Sequence, residues 1–164
     1  MKIARGFYQA VFSVMAFQML LVAPSISNAE TQNVTQVIQE RSERKMDKMT
    51  INIDLEGDNV RVALDDTPAA REFISLLPLT LDFKDYGSTE KITYLPRKLS
   101  VKGEPSGYTP VSGDFSYYAP WGNIAIFLKD FGYSHSLVKL GRVESGMAFL
   151  ERKGDRKGIV TLVK

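Results

Sequence analysis

The chain has no cysteine, one histidine and one tryptophan among its 164 residues. Without cysteine there are no disulfides, no thiolate metal sites and no cysteine nucleophile, so stability rests on packing. A lone imidazole, His135, is too little for a structural or catalytic zinc site, and no metal is expected. The string "YSHSL" around it lacks the second glycine of a nucleophile elbow, and His135 reads as a solvated loop residue. Charge of one sign is also scarce: 21 basic residues face 19 acidic ones, and the surplus is Lys2 and Arg5, which precede the first acid, Glu30. The balanced remainder offers no basic face of the kind nucleic acid requires, so no nucleic-acid partner is expected. No glycine-rich phosphate loop occurs, and no cofactor is expected. Asp65-Asp66 and Asp82/Asp85 lack calcium-loop spacing.

A long hydrophobic run is missing as well. "AVFSVMAFQMLLVA", Ala10 to Ala23, has 14 residues, short of the ~20 that span a bilayer as a helix. Lys2 and Arg5 precede this run, Pro24 breaks it, and Ser27 and Ala29 occupy the small-residue positions a signal peptidase reads. The expectation is a signal peptide over 1–29, cleavage between Ala29 and Glu30, and a periplasmic protein with no stable membrane insertion after cleavage. Residues 30–48 carry only Val34, Val37, Ile38 and Met46 as apolar side chains. They read as a polar tether, solvated or weakly helical.

A folded domain over 49–164 follows. Ile51, Ile53 and Leu55 alternate with polar neighbours, "EGDN" supplies a tight turn, and Val60, Val62 and Leu64 resume the alternation: a hairpin. Thr67 caps a helix that starts at Pro68 and carries Ala70, Phe73, Ile74 and Leu77 on one face before Pro78 ends it. Leu79, Leu81 and Phe83 alternate next. "KITYL", "FSYYA", "NIAIFLK" and "GIVTLV" read as further strands, "LPRKLSVKGEPSGYTPVSGD" as a long loop and "ESGMAFLERK" as a short helix. About seven short strands with no βαβ rhythm point to a closed or nearly closed antiparallel barrel.

The stretch "DFSYYAPWGNIAIFLKDFGYS" concentrates aromatic residues around Pro120 and Gly122-Asn123. Tyr117, Ile124, Ile126 and Phe127 read as core. Tyr118, Trp121 and Asn123 sit at a proline-glycine corner, where recognition often resides on a rigid barrel. This stretch, together with "LLPLTLDFKDYGSTEKITYLP", resembles a family of small bacterial and archaeal cyclophilin-like proteins, over nearly all of Thr50 to Lys164. "LGRVESGM", Leu140 to Met147, is similar to a segment of true cyclophilins. The resemblance implies a mainly β fold, a cyclophilin-like closed antiparallel barrel with one or two capping helices.

True cyclophilins also carry a phenylalanine-histidine-arginine motif, whose arginine stabilises the twisted prolyl amide, and a glutamine-glycine-glycine segment. Neither string occurs here; Arg97 in "YLPRKL" lies in a comparable region. The expected function is therefore a binding module for a peptide or small molecule, using Trp121, Tyr118, Asn123, Tyr94 and Arg97. The alternative is a divergent peptidyl-prolyl isomerase with Arg97 as its electrostatic residue.

Overall fold

The computed structural model describes residues 33–37 and 49–163. The expected signal peptide and its cleavage site lie outside the described residues, as do Ile38 and Met46 of the polar segment. Within that segment residues 33–37 form one helical turn, α1, whose Val34 and Val37 are both more than half exposed.

Ten strands follow: β1 (Thr50–Leu55), β2 (Asp58–Leu64), β3 (Leu79–Tyr86), β4 (Glu90–Tyr94), β5 (Gly107–Tyr108), β6 (Asp114–Tyr118), β7 (Asn123–Phe127), β8 (Ser134–His135), β9 (Leu137–Ser145) and β10 (Arg156–Leu162). Eight close an antiparallel barrel in the order β1-β10-β3-β4-β7-β6-β9-β2, while β5 and β8 pair separately. Closure leaves no exposed edge, the usual liability of a sheet.

The alternation read from the sequence places the inner face. Ile51, Ile53, Val60, Val62, Phe115, Ile124 and Ile126 form one buried cluster with Tyr117. The β1–β2 turn is tight because Glu56 and Gly57 both adopt positive φ, 54° and 98°, as two-residue hairpins require.

Helix α2 (Pro68–Ile74) has Thr67 as its cap, with the Ala70 amide donating to Thr67 Oγ1 at 3.2 Å. It is shorter than the spacing predicts. Leu76 and Leu77 are held by turn hydrogen bonds to Phe73 and Ile74, because a residue before proline is disfavoured in the α conformation. Phe73 inserts edge-on against Phe115, with ring centroids 5.5 Å apart. The expected second helix is the single turn α3 (Met147–Leu150), which buries Leu150.

The longest strand, β9, is the one the sequence pattern hides. Phe115 pairs with Gly141 and Ser116 with Lys139, so Leu140 is an extra residue; Arg61 pairs with Ser145 and Val62 with Val143, so Glu144 is another. Two bulges on one strand erase its period-2 signal. Gly141 lies so close to β2 that a Cβ there would stand 2.1 Å from the Ala63 carbonyl oxygen.

Candidate functional site

A strand of a barrel wall normally buries alternate residues, yet all five residues of β7 are buried. Ile124 and Ile126 point inward. Asn123, Ala125 and Phe127 point outward, so something covers the outer face. Phe127 is buried, as the sequence reading has it, but in a second cluster with Ile92, Ala125 and Leu137 outside the barrel, while Tyr117, Ile124 and Ile126 lie in the main core. The pairing sets rows across this outer face, Tyr94–Asn123–Tyr118–Leu137 and Ile92–Ala125–Ser116, with Glu90 opposite both Phe127 and Tyr86.

Two features rise above this floor. On one side the β5–β8 ribbon folds over the barrel, held by a short hydrogen bond between the Tyr108 and Ser116 hydroxyls. On the other, the hairpin loop from Ala119 to Gly122 lifts Trp121. Gly122 turns this corner at φ 73°, and its amide donates to the Tyr118 carbonyl at 2.9 Å. The indole meets Tyr118 and Tyr86 edge-on, at centroid distances of 5.5 and 5.7 Å. Between these walls lies a groove of about 200 Å³, closed further by Phe131 and Ser134.

Trp121, Tyr86 and Phe131 remain 49%, 46% and 50% exposed, so apolar rings face solvent at the groove's rim. Asn123 and Glu90 are among the polar residues that line it. Asn123 is buried; its amide nitrogen donates to the Ile124 carbonyl at 3.1 Å, while its Oδ1 has no partner. An unmatched buried acceptor carries a desolvation cost of about 1–3 kcal/mol. Burial raises the Glu90 carboxyl above the ordinary carboxylate pKa.

Of the residues singled out from the sequence, the fold brings Trp121, Tyr118 and Asn123 together in this groove. Tyr94 is opposite Asn123 on β4 but is not among the lining residues, and its ring is exposed. Arg97 is elsewhere: its guanidinium forms an ion pair with Glu72 on α2. Glu72 also accepts the Ser100 amide at 2.9 Å. The Arg97 hydrogen bond first, and the Ser100 amide second, hold this carboxyl below its usual pKa. Arg97 thus fastens the loop after β4 to α2. The same loop buries Leu99, whose amide donates to the Tyr117 hydroxyl at 3.0 Å, a contact that ties the loop to the core.

Tyr86, Glu90, Ile92, Phe131 and Leu137 were missed as groove residues. Strand parity signals Glu90 and Ile92, which share a face with Tyr94, but Phe131 and Leu137 arrive only through the ribbon and the bulged strand. His135 belongs to β8 rather than to a loop; it is exposed, with the Tyr133 ring edge-on at 5.0 Å. Among the described residues, no cluster of three or more histidine, aspartate or glutamate side chains could hold a metal ion. No described helix is long and apolar enough to cross a membrane.

A closed eight-stranded antiparallel barrel, capped by short helices and bearing a covered aromatic groove on its outer wall, defines a class of small β-barrel domain. The chain belongs to the cyclophilin-like family, whose model matches residues 53–162. A hypothetical protein of Archaeoglobus fulgidus, solved in solution, is similar in fold, with a TM-score of 0.53 at 17% identity over 70% of this chain and 95% of that one. No curated protein matches the chain.

Proposed function

We propose that the protein is an exported cyclophilin-like binding module that takes a peptide or small ligand in the groove beside Trp121. The observation that carries this reading is Asn123 Oδ1, a buried acceptor with no partner in a groove rimmed by half-exposed aromatic rings. Packing alone would favour an apolar residue there, whereas a ligand donor would relieve the desolvation cost. The isomerase alternative needs a cation at the twisted amide. Arg97 is already engaged by Glu72, and the groove's lining includes no lysine, arginine or histidine. Binding without catalysis is the better supported reading.

The single indole makes the test direct. Trp121 emission should be partly solvent-exposed, quenched by acrylamide, and shifted by a ligand that enters the groove. A peptide-isomerisation assay giving rates above background would favour the alternative. Export rests on the N-terminal pattern, and intact-mass analysis of the periplasmic fraction should find a chain that starts at Glu30. A mature species retaining Met1 would defeat that assignment.

A further inference from the structure

The groove's buried acceptor, Asn123 Oδ1, and its half-buried carboxyl, Glu90, differ in kind and stand at opposite ends. Asn123 is the first residue of β7, and Glu90 pairs with the last, Phe127. Four residues of strand separate their backbones by about 13 Å at ~3.3 Å per residue. Both groups accept hydrogen bonds: Asn123 Oδ1 is buried without a partner, and the half-buried Glu90 carboxyl lines the groove. Between them the floor is Ile92 and Ala125, flat and apolar, and Tyr86 and Trp121 present ring faces and edges above it. The nearby Lys98 ammonium is turned to the Pro120 carbonyl at 3.0 Å and does not line the groove.

We infer that the groove takes a lysine or arginine side chain presented by a peptide, with the cation at Glu90 and a peptide N–H on Asn123 Oδ1. A basic side chain has the required order of parts: an N–H at its backbone, an apolar stem to lie on Ile92 and Ala125, and a cationic head. Aromatic rings and a carboxylate in a poorly hydrated site both favour that head. A free amine would satisfy Glu90 but leave Asn123 unmatched. The groove's volume, about 200 Å³, is below the ~300–1,000 Å³ that enclose whole small-molecule ligands, and suits one side chain whose flanking chain lies over the rim. Exposed Tyr94 and Tyr133, next to lining residues on either side, extend that rim.

This inference rests on the groove being a binding site, and the experiment separates the two. The purified full chain is titrated, with Trp121 emission as readout, with acetyl-Gly-Lys-Gly-amide, its arginine and norleucine counterparts, and n-butylamine. The lysine and arginine peptides should bind at least about tenfold more tightly than the norleucine peptide. Glu90→Gln should bring that ratio close to one while norleucine-peptide binding persists. n-Butylamine should bind more weakly than the lysine peptide, since it has no amide for Asn123. Equal affinity for lysine and norleucine peptides in the wild-type protein would overturn the cation assignment and leave the groove reading standing. Butylamine binding as tightly as the lysine peptide would overturn the peptide as source. No response of Trp121 to any of the four, or an unchanged response in a protein lacking Tyr86 and Tyr118 side chains, would bring down the binding-site reading itself.

Discussion

Tyr117 and Tyr118 are neighbours on β6, yet they belong to different regions governed by different rules. Tyr117 is inside the barrel, fully buried, its hydroxyl accepting the Leu99 amide. Tyr118 is on the outer wall, against Trp121 and over the groove. The interior is filled by side chains that pack on one another, and its buried charge, Lys91, is matched by Asp85 and by the Gly154 carbonyl at 2.9 Å. Two buried atoms outside the groove, Thr93 Oγ1 and Arg156 Nη1, also have no partner. The outer groove keeps a buried acceptor without a partner and a half-buried carboxyl, and leaves three rings half exposed. The groove's unmatched acceptor lies in a concave, apolar setting rimmed by half-exposed rings, and the proposed binding role rests on that setting.

The comparison breaks most sharply at Phe115. It is buried against Phe73, so Phe115→Ala should cost about 3–5 kcal/mol in chemical denaturation. A small loss would mean that the barrel interior is not the seat of stability.

The Lys91–Asp85 pair tests the interior's charge. Asp85→Ala would strand a buried ammonium, with an expected loss of about 3 kcal/mol, at the low end for buried pairs because Asp85 is itself partly exposed. The Lys91 hydrogen bond first, then the Gly154 amide, hold the Asp85 carboxyl below its usual pKa. Its contribution is therefore present above the ordinary carboxylate pKa and fades as pH falls through the lowered one. The mutant's deficit should shrink in that acid range, as read from unfolding midpoints against pH.

Trp121→Ala should show the reverse balance. Peptide binding should weaken by about 2 kcal/mol or more, as for buried aromatic anchors. Folding stability should fall by about 1 kcal/mol, because two edge-on ring contacts are lost and each lies at the low end, about 0.5 kcal/mol, with the indole half exposed. Global unfolding on this substitution would move Trp121 to the interior's side of the comparison.

Arg97→Ala is the mildest. An exposed ion pair to Glu72 contributes at most about 1 kcal/mol, and groove binding should be unaffected in the same fluorescence titration. A large loss of binding would show that the loop after β4 reaches the groove after all.

Much of the barrel was legible in the sequence because its cues are local. Ile51 to Leu64 alternate around a turn, Thr67 and Pro68 mark a helix start, and Trp121 sits at a proline-glycine corner; each follows from neighbours within a few residues. β9 was not legible, because Leu140 and Glu144 interrupt its parity. Phe127 read as core and is buried, but which of the two clusters it joins follows from its parity with Asn123. The sequence by itself determined the barrel's strands other than β9, the inner faces of those that alternate, and the corner that raises Trp121. Only the tertiary structure decided that Glu90, Asn123, Trp121 and Phe131 share one groove and that Arg97 belongs to Glu72. Those pairings depend on strand register and barrel closure, which bring together residues tens of positions apart, and no local periodicity encodes that distance.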